Sequence, residues 1–460
     1  MLQHRRTLLT ILATLSLVYV YRSYSLSQNH ELPSWVHRAQ DDVDMLNGTL
    51  GFEEIFVINL PSRQDRQNAM VMAGRVSNLT LTFLEGLTGD SLPSPHFSSA
   101  GARGSWGSHM KALQTIVDKG LGSGLVLEDD VDWDVRLKTQ MMTFAMASRI
   151  WLDVEEQKRG IISRLQRHEA TKLRQGGSRP MSGVLSKKRE RQEPGAKTLV
   201  SPNPNLESDN ARTINEEFER DTIPLSSEIS WTRKKYTESP YGDDWDVLWL
   251  GHCGADLPPA RQESPSSSNP LSSSSSSLKI SILDDPTVPA PKHLKPHPFA
   301  LRDKLAGVYP AHTRVVHAVH GNVCSLAYAV SHRGARKLLH RFGKEGFVYQ
   351  WDLVLRDYCM GELEDEDRQE GSGEHGRGKE ENANLVCLTV QPPLISHHYA
   401  GEGGGASVSD ISGQGGGLAH SKKGTPYVRL SVQENLERLL AGFPEDELVD
   451  QLPDEGDTLW

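Results

Sequence analysis

The residues best suited to chemistry are three consecutive carboxylates, Glu128, Asp129 and Asp130, which directly follow the apolar run 124–127. A continuous apolar run is typical of a strand buried on both faces, and ligands bind at the carboxyl ends of such strands in open α/β sheets. Adjacent carboxylates repel one another unless a positive charge lies between them. A hard divalent cation, Mn²⁺ or Mg²⁺, supplies that charge and keeps positions open for phosphate oxygens. The triplet therefore predicts a cation on Glu128 and Asp130 that bridges to a diphosphate, and an acidic turn in solvent is the alternative.

A glycine-rich segment, residues 101–109, precedes this triplet and runs into apolar residues at helical spacing. Ser108 is a good N-cap residue, so we expect the helix to begin there. Glycines before a helix N-terminus let backbone amides approach an anion or the face of a sugar. His109 follows directly, and it is interpreted either as part of this ligand site or as a structural hydrogen-bonding residue.

Two arginines follow the first predicted strand, residues 54–60, which ends at Pro61. Arg63 and Arg66 either contact phosphate or brace the loop by pairing with Asp65. This segment is a second candidate for binding the phosphates of a ligand.

One carboxylate, Asp352, lies among aromatic and apolar residues in the segment 349–355. Burial there would raise its pKa, which suits a general base that deprotonates an acceptor hydroxyl. Stabilisation of a helix N-terminus by Asp352 is the alternative.

The N-terminus predicts membrane association. Basic residues precede an apolar run, residues 8–21, and Arg22 follows it. The charge asymmetry favours an uncleaved anchor, residues 1–22, over a cleaved signal peptide. A stem, residues 23–50, would follow. Either interpretation places the remainder in the lumen, and we expect a single-pass type II protein of the Golgi or endoplasmic reticulum membrane.

Two further features agree with a lumenal location. Asn47 and Asn78 begin acceptor sequences for N-linked glycans. The chain has four cysteines, which in an oxidising lumen could form two disulfides with three possible connectivities. No Cys-x-x-Cys spacing occurs among them, so a zinc site is not expected.

The composition predicts one interrupted domain. The 460 residues carry a net charge of −10 without a basic face, which argues against a nucleic-acid partner. Strands alternating with helices predict an α/β fold with a mostly parallel sheet. We expect the domain to span residues 51–445, with an acidic tail, residues 446–460. Low-complexity, disordered insertions are predicted at residues 154–240, 255–298, 361–384 and 401–421.

Taken in order, these segments resemble glycosyltransferase family 25, which includes bacterial lipopolysaccharide galactosyltransferases and animal collagen galactosyltransferases. Many members carry a cysteine where this chain has Ser105. The matching residues, by motif, are Asn59, Leu60, Arg63, Asp65 and Arg66; Gly101, Gly104, Ser108 and His109; Glu128, Asp129 and Asp130; Tyr328, Ser331, Gly334, Ala335, Leu338 and Leu339; and Trp351, Asp352 and Leu353.

The resemblance implies a GT-A (Rossmann-like) fold, a UDP-sugar donor, most often UDP-galactose, a Mn²⁺ ion and inversion at the anomeric carbon. The acceptor would be a hydroxyl of a glycan or glycoprotein. The donor-binding residues would be Asn59, Arg63, Arg66, Ser108 and His109, and the metal ligands would be Glu128, Asp129 and Asp130. His397 or His398 could complete the metal site. Two rival functions are a metal-dependent phosphoesterase and a non-catalytic glycan-binding protein on a degenerate transferase fold.

Overall fold

A computed structural model describes residues 45–91, 99–175, 221–225, 239–259, 276–294, 304–345, 349–363, 385–399 and 424–457. The predicted anchor and most of the predicted stem lie outside these residues. Within the described ranges, no helix is both long enough and apolar enough to cross a membrane.

Eleven strands form a single mixed sheet in the described part of the chain. The strands are Glu54–Asn59 (β1), Leu81–Glu85 (β2), Ser123–Glu128 (β3), Val131–Trp133 (β4), Thr222–Pro224 (β5), Val247–Gly251 (β6), Lys279–Ile282 (β7), Arg314–Ala318 (β8), Ala327–Ser331 (β9), Cys387–Gln391 (β10) and Ile395–His397 (β11). Their order is β2-β1-β3-β9-β6-β10-β8-β7-β5, and β11 pairs with β4 and β6.

The helices cover both faces of this sheet. Their bounds are Gln64–Val76 (α1), Ala100–Asp118 (α2), Leu137–Gln175 (α3), Leu305–Val308 (α4), His332–Glu345 (α5), Trp351–Met360 (α6) and Leu436–Ala441 (α7). In β3 the side chains alternate between two cores, because Leu125 and Leu127 belong to one and Val126 to the other. Burial on both faces explains the continuous apolar run before the acidic triplet.

The β2-β1-β3 portion is parallel, as the sequence predicts, but the sheet as a whole is mixed. β1 pairs in parallel with β2 and with β3. β9 lies antiparallel between β3 and β6. The strands therefore form an α/β architecture consistent with a Rossmann-like fold. The register pairs Ile58 with Glu128, which brings the ends of β1 and β3 to one edge of the sheet.

Several predicted boundaries differ from the structure. Helix α3 continues to Gln175, into the range predicted as an insertion from residue 154. Strand β5 also lies in that range, and β7 lies in the predicted insertion 255–298. In β7, Lys279 and Ser281 alternate with two isoleucines, a pattern that predicts one exposed face. All four residues are nevertheless buried.

The C-terminal region also differs from its prediction. Helix α7 covers six residues there, Leu436–Ala441. The predicted acidic tail packs on the domain, because Leu452 is fully buried and Asp450 accepts hydrogen bonds from Arg429.

The cysteines form two disulfides, Cys253–Cys324 and Cys359–Cys387. One of the three possible connectivities is thereby selected. The first joins the segment after β6 to the segment before β9, and the second joins α6 to β10.

Two buried histidines make stability dependent on pH. His252 and His317 are almost fully buried, and burial lowers the pKa of His252 to about 4 and that of His317 to about 3. An unfolded histidine titrates near ~6.5. As the pH falls below that value the unfolded state binds protons first, so the free energy of unfolding decreases until the folded-state pKa values are reached.

Between pH 6.5 and pH 5, we expect His252 and His317 each to lower the free energy of unfolding of the wild-type protein by about 1.5 kcal/mol. Urea unfolding at both pH values should show a smaller loss in His317→Gln, which lacks one titrating group. His340→Gln, at an exposed position, is the control and should retain the wild-type loss. Equal pH dependence in all three proteins would contradict the prediction.

Candidate functional site

A cleft of about 260 Å³ opens where β1 and β3 end. One wall is the end of β1 with the segment that follows β2, and the other is the first half of α2. The acidic triplet lies in its lining, together with Arg66 and His109. The structure therefore brings together predicted site residues from three separate segments of the chain.

Arg66 neutralises two of the three carboxylates. One of its guanidinium nitrogens lies 2.8 Å from Asp129 Oδ1 and 3.0 Å from Asp130 Oδ2. Asn59 donates a hydrogen bond of 2.7 Å to the other oxygen of Asp129. Both oxygens of Asp129 are thus engaged by protein groups, which departs from its predicted role as a metal ligand. Arg63 instead pairs with Asp65, as the loop-bracing alternative predicts.

The environment sets the charges of these two carboxyls differently. Burial, followed by the charge of Asp130, raises the pKa of Asp129 to about 6, although Arg66 and Asn59 act in the opposite direction. Burial also opposes ionisation of Asp130, but His397 and Arg66 outweigh it and hold the pKa of Asp130 well below its usual range. Asp130 is therefore more fully ionised than Asp129 near neutral pH.

Asp130 presents an unsatisfied oxygen at this site. Its Oδ2 atom contacts Arg66 and lies 3.3 Å from His397 Nε2. Its Oδ1 atom is buried and has no hydrogen-bond partner among the described residues. A buried acceptor without a partner costs free energy comparable to a lost hydrogen bond, so Oδ1 is the atom in the triplet most in need of a cation or donor.

The third carboxylate, Glu128, is contacted by one residue of α2 and by one residue that precedes β9. Ser325 Oγ donates a hydrogen bond of 2.9 Å to Glu128 Oε1, and His109 Nε2 lies 3.7 Å from the same oxygen. His109 also hydrogen-bonds to the Tyr328 hydroxyl at 3.1 Å and stacks on Trp351. His109 is buried, so the structure supports its interpretation as a structural hydrogen-bonding residue.

The glycine-rich segment is helical, which corrects the predicted helix start. Ser99 is the N-cap of α2 and accepts from the Ala102 amide, while Ser108 lies inside the helix. Ser108 Oγ accepts from the Leu87 amide and donates to the Gly104 carbonyl. A Cβ at Gly104 would lie 2.5 Å from the Leu87 carbonyl oxygen. The glycine therefore serves close packing of α2 against the segment after β2.

Asp352 fits both of its predicted interpretations. It is the second residue of α6, and its Oδ2 accepts the Cys324 amide at 2.8 Å. Burial, supported by the charge of Glu128, raises the pKa of Asp352 against the effect of the Cys324 hydrogen bond. Asp352 thus lies at the N-terminus of a helix. Its pKa is shifted upward, which is the direction that a general base requires.

The carboxylates fit a cation only in part. Across the described residues, no group of three or more His, Cys, Asp or Glu side chains has the arrangement of a metal site. Two oxygens remain suitable: the unpartnered Asp130 Oδ1 and the second oxygen of Glu128, whose side chain is 20% exposed. Mg²⁺ is commonly held by one or two carboxylates together with substrate phosphates. Of the two candidate histidines, His397 adjoins Asp130, whereas His398 hydrogen-bonds to Thr425.

The two predicted glycan acceptors share one surface. Asn47 and Asn78 are both exposed. The ammonium group of Lys138 contacts the carbonyl oxygens of Leu46 and Asn78, and the Thr80 amide donates to the Gly48 carbonyl at 2.7 Å. The two sequences are therefore neighbours in space.

Comparison with known proteins gives a partial similarity. No protein-family model matches the chain. It is 29% identical over 112 residues to procollagen galactosyltransferase 2 of Mus musculus and of Homo sapiens, and 27% identical over 111 residues to procollagen galactosyltransferase 1 of Danio rerio. Each match covers 20% of this chain and 18% of the relative. The chain is therefore similar to less than a fifth of the length of these galactosyltransferases.

Sequence reasoning missed Cys324 and Ser325 as neighbours of the site. They lie 28 residues before Asp352 and 197 residues after Glu128, respectively. A serine after a cysteine has no spacing signal that points to a carboxylate elsewhere in the chain.

The double pairing of Arg66 predicts a large stability effect. Arg66→Met leaves Asp129 and Asp130 without their shared cation, so we expect the free energy of unfolding to fall by about 3 kcal/mol in urea with chelator present. Arg63→Met is the control, since Arg63 pairs with the half-exposed Asp65, and it should cost under about 1 kcal/mol. The double variant Arg66→Met/Asp129→Asn should recover part of the loss. If Arg66→Met unfolds like wild type, the ion pairs are not stabilising.

Proposed function

We propose that this protein is a glycosyltransferase that moves a sugar, with galactose as the first candidate, from a UDP-sugar to a hydroxyl group of a glycan or glycoprotein. The observation that carries the proposal is the unpartnered Asp130 oxygen in the lining of a cleft, with Glu128 beside it and Asp352 within electrostatic reach of Glu128. The partial similarity to procollagen galactosyltransferases supports the choice of sugar.

The cleft suits the nucleotide part of the donor. Ile58, Leu60 and Leu87 give it apolar surface. Glycines 86, 89, 101 and 104 also line it and allow a flat ring to approach backbone atoms. Arg66 lies in the same lining, and its guanidinium places a positive charge beside a bound phosphate. Ligand pockets of this kind are mostly apolar with a few convergent polar groups.

In this proposal Glu128 and Asp130 would hold Mn²⁺ or Mg²⁺, and the ion, when bound, would supply positive charge at the diphosphate leaving group. Asp129 serves the site indirectly, because its pairing with Arg66 and Asn59 fixes the turn that carries Asp130.

The chemical step is a direct displacement. The acceptor hydroxyl oxygen forms a bond to the anomeric carbon, and the bond from that carbon to the diphosphate oxygen breaks with its electron pair remaining on UDP. The hydroxyl proton passes to Asp352, whose raised pKa improves it as a proton acceptor. Attack opposite the leaving group inverts the anomeric configuration.

The N-terminal segment and the glycan acceptor sequences support a location for this activity. We propose that residues 1–22 anchor the chain in the Golgi or endoplasmic reticulum membrane with the catalytic domain in the lumen. Asn47 and Asn78 then carry glycans on their shared exposed surface. Two disulfides agree with an oxidising compartment.

A non-catalytic glycan-binding protein is the second candidate. The observation that favours it is Arg66, which already supplies a cation to two of the three carboxylates. Such a protein would bind sugar without transferring it, and its binding would not depend on metal.

Asp130→Asn separates these two functions. The substitution replaces a carboxylate oxygen with an amide nitrogen and removes the negative charge of Asp130. We therefore expect Mn²⁺-dependent transfer from a panel of UDP-sugars to fall by at least about 100-fold. Circular dichroism and thermal unfolding should show a folded, cooperative protein. Asp65→Asn, on the half-exposed partner of Arg63, is the matched control. Unchanged transfer by Asp130→Asn would remove the metal role, and absence of transfer by wild type with intact glycan binding would favour the second candidate.

Asp352→Asn tests the base. The amide keeps the size of the side chain but cannot take a proton, so we expect kcat to fall by about 100-fold or more while UDP binds with unchanged affinity in calorimetry. Asp357→Asn, on the same helix, is the control and should retain most of kcat. A wild-type kcat in Asp352→Asn would eliminate it as the base.

A further inference from the structure

Three consecutive residues directly before β9, Cys324 to Leu326, each form a hydrogen bond with Glu128 or Asp352. The Cys324 amide donates to Asp352 at 2.8 Å, and the Ser325 hydroxyl donates to Glu128 at 2.9 Å. The Leu326 carbonyl accepts the backbone amide of Glu128 at 3.0 Å. The relative positions of Glu128 and Asp352 therefore depend on one short segment.

This segment has a backbone conformation that the chain does not adopt without support. Cys324 has φ 64°, in the left-handed region, which costs roughly 1–2 kcal/mol for a residue with a Cβ. Such conformations persist only where the surrounding structure determines them. The Cys324 carbonyl accepts the Trp249 indole N–H at 3.1 Å, which is one such support.

The other supports come from the segment after β6. The Cys253 amide donates to the Val323 carbonyl at 2.8 Å, and the Val323 amide donates to the Gly254 carbonyl at 3.1 Å. The Cys253–Cys324 disulfide adds a covalent tie between the same two segments. The disulfide is thus attached to the residue whose amide binds Asp352.

From these contacts we infer that Ser325 and the Cys324 amide are positioning groups for Glu128 and Asp352, and that the Cys253–Cys324 disulfide holds them in their working conformation. The inference rests on the proposed transferase function. It adds that the donor-side and acceptor-side carboxylates are aligned by one covalently tied segment.

The burial of this segment explains why the alignment matters. Ser325 is 4% exposed and Tyr328 and His109 are buried beside it, so a lost hydroxyl there is not replaced by bulk water. Groups that orient a metal-binding carboxylate typically affect metal affinity or activity 10- to 100-fold. Among the residues that the structure describes, the Ser325 hydroxyl contacts the site through Glu128 and His109.

Ser325→Ala is the direct test on the full chain. We expect the Mn²⁺ concentration for half-maximal rate to rise about tenfold, with the KM for acceptor changed less than twofold. Ser325→Thr keeps the hydroxyl and should restore the wild-type Mn²⁺ dependence. A purely structural role would lower the thermal unfolding temperature without moving the Mn²⁺ dependence, and that result would overturn the inference.

A second experiment removes the disulfide. In Cys253→Ala/Cys324→Ala, we expect kcat to fall about tenfold or more and deuterium uptake of the segment 319–326 to increase. The matched control is Cys359→Ala/Cys387→Ala, which removes the other disulfide. It should lower thermal stability while deuterium uptake of residues 319–326 stays at the wild-type level.

The two readouts separate the inference from the proposed function. If wild type transfers no sugar from any UDP-sugar, the proposed function fails, and deuterium uptake alone decides whether the disulfide holds the segment. If wild type is active, unchanged kcat and unchanged uptake in the variant lacking Cys253 and Cys324 would overturn the inference.

Discussion

The pairing of Arg66 with Asp129 and Asp130 is the interaction on which the site depends. Three adjacent carboxylates at a largely buried strand end would otherwise repel one another. Arg66 reaches both aspartates from α1, and Asn59 completes the partners of Asp129 from the end of β1. The parallel register of β1 and β3 brings these groups together. The charge balance at the triplet therefore depends on the parallel pairing of β1 with β3.

The part of the site nearest this pairing could be predicted from the sequence, because its signals are local. An apolar run that ends in carboxylates places the triplet at a strand end wherever the strand lies in the sheet. The arginines follow the first strand at short range, so they reach the same edge when the two strands are parallel neighbours. The sequence does not show whether Arg63 or Arg66 pairs with the two aspartates, since this depends on which face of α1 turns toward β3.

The remaining differences have physical causes that a single sequence does not display. β9 inserts antiparallel between β3 and β6, and antiparallel neighbours distant in sequence leave no periodic signal. Lys279 is buried within β7, against the usual exposure of lysine. The sequence predicts a helix start at Ser108, because serine is a good N-cap residue. The helix instead begins at Ala100 with Ser99 as its N-cap, and Gly104 allows it to pack closely on the Leu87 carbonyl.

In the proposed transferase, charge neutralisation at the triplet is divided between Arg66 and a bound cation. Arg66 satisfies both carboxylates of the aspartate pair on one side, yet Asp130 Oδ1 stays buried without a partner. The protein supplies enough positive charge to hold the folded turn and leaves one oxygen unsatisfied beside a cleft. A site fully neutralised by arginine would gain little from a cation, and a site without arginine would lose its folded geometry when empty. Under the proposed function, the intermediate arrangement would let the folded chain persist without the cation while cation binding still neutralises charge.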